Sequence, residues 1–188
     1  NPLEPWPGEL ALEAATTHDV RLIARVVDYG GMFHDDVEAG HSFAEYDHRK
    51  FRPDGWVEQG RAKLELMRPI AERHGLTMLQ LACAWSLDHA PVRCVAPTLI
   101  QESGPDSRPV ENKRAELAAV RAPSPLSGEE VAEITAIGEN RGCMALKGAS
   151  PEHEGDALAD RWALDEQLSR LAERWRIAPE RDLAKQAH

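Results

Sequence analysis

Two short β-branched runs, residues 19–27 ("DVRLIARVV") and 92–100 ("VRCVAPTLI"), are the strand signals in a chain otherwise patterned for helices. The helix-forming segment 9–17 ("ELALEAATT") precedes the first, and further helical composition separates and follows them. Helix, strand, helix, strand, helix is α/β order, in which the strands run parallel and the crossovers are right-handed. Two strands cannot close a barrel or give apolar helices a sheet wide enough to lie on, and they leave pairing edges exposed. The missing strands are therefore expected before Asn1 or on another chain. The start "NPLEPWPG" lacks a methionine and the build of a signal peptide, which fits a cut inside a longer chain.

The helical segments carry their own punctuation. In "WVEQGRAKLELMRPIAERHG", Pro69 is expected to kink the helix and Gly75 to end it. Thr77 and Gln80 form a capping box that opens a helix through "LACAWSLDH", which is apolar on most of its circumference and needs cover on several sides. Pro97 marks the end of regular strand pairing. "VENKRAELAAV" reads as helix and "RAPSPL" as its break. Ser127 and Glu130 then cap a helix with Val131, Ile134 and Ile137 on one side and Gly142 as its stop. Residues 148–160 read as a polar linker. Beyond them Leu164, Leu168, Leu171 and Trp175 recur at helical spacing, for a helix packed on its own domain or docked on a partner.

The composition narrows the function classes. A formal charge of −10 over 188 residues repels phosphate polymers and anionic membranes, although a local basic pocket could hold one small anion. Neither nucleic acid nor a membrane is expected as a partner. The longest apolar stretches are interrupted by Arg, Asp or His, so a soluble protein is expected, and the cysteine usage makes the cytoplasm the expected compartment. Cys83, Cys94 and Cys143 are odd in number and lack metal or redox spacing, which suits reduced thiols acting as small apolar groups.

Each strand run leads into a long loop, and the candidate chemistry lies there. Residues 30–55 hold His34, Asp35, Asp36, Glu38, His41, Asp47 and His48, residue types that bind zinc or harder ions, but without HExxH, HxH or EF-hand spacing. Gly30 and Gly31 follow the first strand, where a backbone without Cβ approaches a ligand or makes a plain turn. After the second strand, Arg108, Lys113 and Arg114 flank a helix start, a combination that seats a phosphate or forms a solvated basic turn.

Taken in order, these segments resemble the C-terminal part of the aldo-keto reductases, (β/α)8 barrels that use NADPH. "NPLEPWPGELALEAATTHDVRLIARVV" is similar to the family's end of the sixth strand, its helix and the seventh strand. "IAERHGLTMLQLACAWSLDHAPVRCVAPT" resembles the seventh helix running into the eighth strand, "RPVEN" the R-x-x-E-N that follows, and "PLSGEEVAEITAIGENRG" the next helix. The resemblance covers roughly residues 1–145. It implies the C-terminal portion of a TIM barrel over 1–147, from the end of the sixth strand through the eighth and its helices, with a linker and C-terminal helix over 148–188.

By the same resemblance, Arg108 would pair with the 2′-phosphate of NADPH, and Glu111 and Asn112 would address the adenine. Gly31, with Gly30 beside it, would lie along the pyrophosphate. Thr98 joins this coenzyme set where relatives have Gly or Lys after Ile-Pro. Val27-Asp28 replaces the family's Pro-Leu and brings a carboxylate near the expected pyrophosphate. The family's catalytic Asp, Tyr, Lys and His belong to earlier strands, so no catalytic residue is assigned here and the N-terminal part of the barrel is required. The implied reaction is reduction of an aldehyde or ketone to an alcohol by hydride transfer, with the acidic loop as a flap over the cleft and no metal. The substrate is open, and so is a homo-oligomer. The alternatives are a barrel relative serving as a binding or regulatory subunit, and a metal-dependent hydrolase using the His/Asp loop.

Overall fold

The structure, a computed structural model, describes residues 1–6, 8–52, 54–104, 107–140 and 166–176. The chain divides into two compact units, Asn1–Ala149 and Ser150–His188. In the first, α1 (Leu10–Thr17) leads to β1 (Leu22–Arg25), and β2 (Val92–Ala96) pairs with it in parallel. Between the strands lie α2 (Trp56–Arg73) and α3 (Met78–Leu87); α4 (Val110–Ala118) and α5 (Gly128–Gly138) follow. The second unit holds α6 (Glu166–Trp175), in which Arg170 pairs with Glu166 one turn before it. Leu164, Cys143, Gly142 and the expected linker lie outside the described residues.

Local sequence sets the helix ends. Gly75, at φ 61°, follows α2 and donates to the Glu72 carbonyl, while Leu76 donates to Ala71 at 2.9 Å. These two bonds form a Schellman stop, and Leu76 completes it by packing on the core. Both capping boxes form, Thr77 with Gln80 at α3 and Ser127 with Glu130 at α5. α2 continues through Pro69, which removes one helical hydrogen bond without ending the helix. α5 ends at Gly138, where a Cβ would stand 1.8 Å from the Pro2 carbonyl oxygen. Lys63 of α2 caps that end by donating to the carbonyls of Gly138 (2.9 Å) and Glu139 (3.0 Å).

α3 is covered on several sides. Its Leu79 and Cys83 pack with Val27 beneath Ala24 and Val95 of the sheet. Its Leu81, Ala82 and Trp85 belong to the main core with Leu64, Met67 and Ile70 of α2 and Ile134 of α5. Trp85 also donates to Thr135 at 3.1 Å. The other face of the sheet is bare: Ile23 stands opposite Cys94 and Arg25 opposite Ala96, all exposed, Ile23 by 66%. A cleft of about 310 Å³ runs along all four residues of β1, walled by Leu12 of α1 and by Trp85 and Ser86 of α3. Among the described residues, no helix is long and apolar enough to cross a membrane.

Candidate functional site

The C-terminal ends of both strands meet in one cluster of loops. After β1 the backbone is left-handed at Val26 (φ 54°), Tyr29 (φ 52°), Gly30 (φ 64°) and Gly31 (φ 96°). A β-branched residue at such a φ is strained, so the tertiary contacts around it must hold the turn. The turn brings Asp28, fully buried, beneath both strand ends. Its carboxylate accepts from the Gly31 amide at 2.8 Å and from the Thr98 amide at 2.6 Å. The Asp28 carboxylate is thus spent on two backbone donors. His34, also fully buried, bonds the Thr98 carbonyl through Nε2 at 2.8 Å. A carbonyl only accepts, so Nε2 carries the proton; Nδ1 has no hydrogen-bond partner among the described residues.

The loop after β1 is tied down by charge. Arg49, its side chain 3% exposed, donates to both oxygens of Glu102 (2.7 and 2.9 Å), to Asp47 (2.7 Å) and to the Gly30 carbonyl (3.1 Å). Its guanidinium lies 4.4 Å from the centre of the Phe43 ring. Burial acts to lower the pKa of Arg49, but the hydrogen bonds to Glu102 and Asp47 outweigh it and leave the pKa above its ordinary value. A Cβ on Gly31 would come within 3.1 Å of Arg49 Nη1 and 3.5 Å of Glu102. Gly31 is therefore demanded by its own loop packing as well as by its φ.

The crowd of acids and histidines in this loop is taken up by ion pairs with basic side chains. Asp35 binds Arg68 at 2.8 Å, Asp36 binds Lys113 at 2.5 Å, Glu38 lies 3.3 Å from Arg61, and Asp47 is held by Arg49. His41 approaches Glu102 at 3.5 Å, and His48 is exposed. Among the described residues, no three His, Cys, Asp or Glu side chains converge as a metal site. The Arg49 pairs tie this loop to Glu102, in the segment that follows β2.

Arg108 stands at the edge of this cluster. It donates to the His34 carbonyl and to Glu116 Oε2, each at 2.5 Å. Its side chain is 37% exposed and that of Glu116 6%. A cavity of about 310 Å³ opens here, walled by Arg108, Glu116, His34, Arg68 and the start of α3 at Thr77 and Met78. Glu111 and Asn112 are exposed on the first turn of α4, whose Val110 amide is capped by Gln101 at 3.0 Å. Lys113 is fully buried between Asp36 and the Ile100 carbonyl, and Arg114 is exposed.

Of the residues singled out in the sequence, Gly30, Gly31 and Thr98 share one cluster, and Arg108 reaches it through His34. The side chains that organise the cluster are Asp28, Arg49, Glu102 and Glu116, and sequence reasoning assigned them no such part. Asp28 alone left a trace, as a departure from the pattern of the family that the sequence resembles. Neither a family profile, nor a curated protein, nor a solved structure matches the chain.

Proposed function

We propose that this chain is the C-terminal part of an NADP-dependent aldo-keto reductase barrel and supplies the seat for the adenosine phosphate of the coenzyme. The observation that carries the reading is the sheet. Its strands are parallel and helix-covered on one face, while the other face is exposed, with Ile23, Cys94, Ala96 and the charged Arg25 on it. Further strands beside β1, along its open cleft, would close a cylinder around that face. Barrel active sites lie at strand C-termini, which is where Gly31, Thr98 and Arg108 gather.

The chemistry at Arg108 fits a coenzyme phosphate in part. Its guanidinium is partly exposed on a cavity, and Glu111 and Asn112 are open to a base alongside it. The backbone amides of Gly31 and Thr98 are already occupied by Asp28, so the pyrophosphate would be contacted by other groups. NADPH would supply the hydride to an aldehyde or ketone, and the proton donor would come from the strands that complete the barrel. The part played by this chain is binding: Arg108 toward the 2′-phosphate, Glu111 and Asn112 toward the adenine, and the loop held by Arg49 as the wall that excludes water.

Coenzyme titration of the intact protein tests the reading. Arg108→Ala is expected to weaken NADPH binding by about 1.5–3 kcal/mol, the loss of a charge-assisted contact, and to leave NADH binding nearly unchanged. Equal losses for both coenzymes, or no loss, would remove Arg108 from the phosphate site.

A further inference from the structure

Resting on the coenzyme reading above, we infer that Glu116 sets coenzyme preference, by occupying the Arg108 guanidinium and so opposing the 2′-phosphate that distinguishes NADPH from NADH. Glu116 Oε2 lies 2.5 Å from Arg108 Nη2, while Oε1 is buried and has no hydrogen-bond partner among the described residues. The carboxylate thus depends on Arg108 for its compensation. A phosphate that draws the guanidinium away leaves a buried anion without a counter-charge, and it places a second anion in the same cavity.

The rest of the cavity does not relieve this opposition. Arg68, the other guanidinium on its wall, is already bound to Asp35 and Glu65, and Glu72 adds another carboxylate. Three acidic and two basic side chains, with His34, line the space, so it carries no surplus of positive charge for a dianion. A ribose 2′-hydroxyl is neutral and does not contest the Arg108–Glu116 pair. Adenosine nucleotides with a free 2′-hydroxyl are therefore accepted with Glu116 in place, whereas a 2′-phosphate is accepted only at the expense of that pair.

Titration of the full chain with adenosine 2′,5′-bisphosphate and with 5′-AMP tests the inference. In the unaltered protein the 2′-phosphate gains over 5′-AMP only what Arg108 can supply while it is shared with Glu116. Glu116→Gln keeps the shape and a hydrogen bond but frees the charge of Arg108; it should tighten the bisphosphate by roughly tenfold and leave 5′-AMP unchanged. Arg108→Ala added to Glu116→Gln should abolish the gain. A bisphosphate affinity unmoved by Glu116→Gln while both nucleotides bind, or a gain that survives in the double variant as a mere effect of net charge, overturns the role of Glu116 and leaves the adenosine site standing. Binding of neither nucleotide to any variant sinks the adenosine site and the inference together. Glu116→Met, which also frees the guanidinium, carries the same expectation should Glu116→Gln fail to fold.

Discussion

A carboxylate and a guanidinium that bury each other are easy to break and hard to value. Arg49 and Glu102 expose 3% and 6% of their side chains, so deleting either leaves the other charge dehydrated without its main partner. Arg49→Met is expected to cost about 3–5 kcal/mol of unfolding free energy in a urea titration, mostly through the stranded Glu102. Adding Glu102→Leu should recover most of that loss, because the desolvated charge disappears with its partner. A double variant no more stable than Arg49→Met would show that the pair does more than neutralise itself. No residue type in the sequence announced this pair. Arg49 and Glu102 sit in separate loops 53 positions apart, and charges in loops of an acidic chain normally read as solvated. Gly31 was legible as a position of special backbone. What it makes room for was not, because Arg49 and Glu102 come beside it only in the fold. Asp28 shows the same limit: its residue type could be read, but its two backbone donors come together only in the folded turn.

Helix ends were read more fully, since their signals are local. Thr77 with Gln80, Ser127 with Glu130, and Gly75 all act within four residues of the termini they define, so short-range sequence suffices. The end of α5 depends instead on the distant Pro2 and Lys63, and it falls at Gly138 where the sequence suggested Gly142. Glu130 joins the two kinds of information. It accepts from the Ser127 amide at the start of α5, and also from Arg73 and His74 at the end of α2. The Ser127 backbone bond foremost, then His74 and Arg73, lower its pKa from 4.5 to about 2. A depressed carboxylate stabilises the fold above its unfolded pKa and loses that contribution as pH falls through the folded value. The unaltered protein should therefore lose this contribution between about pH 4.5 and 2. Glu130→Gln should be less stable at neutral pH, with the gap between the two narrowing across the same window. A gap constant from pH 6 to pH 2 in chemical denaturation would show that the carboxylate charge is not what joins α2 to α5.

At the scale of the whole molecule, α/β order was visible because alternating helix and β-branched runs leave few topologies, and β1 and β2 do pair in parallel. Which sheet face would be covered was not visible, since the runs themselves, "LIAR" and "VRCVA", alternate only weakly. In the fold Ala24 and Val95 turn toward α3, while Ile23 and Cys94 stand together on the bare side. The two thiols therefore report on different surroundings. Cys83 is buried, and burial foremost, with the charges of Asp28 and Glu116, pushes its pKa up to about 12, so it should resist alkylation. Cys94 is exposed on the face that, in the proposed barrel, looks into the closed interior. In a Cys143→Ser background, iodoacetamide should modify Cys94 in the chain by itself at close to the rate of a free thiol. It should do so at least tenfold more slowly once the N-terminal strands are supplied, because closing the cylinder takes the Cys94 side chain out of solvent. Cys94 labelled equally fast in both preparations would mean that the bare face stays open when the strands are present, and the reading of this sheet as part of a closed barrel would fail with it.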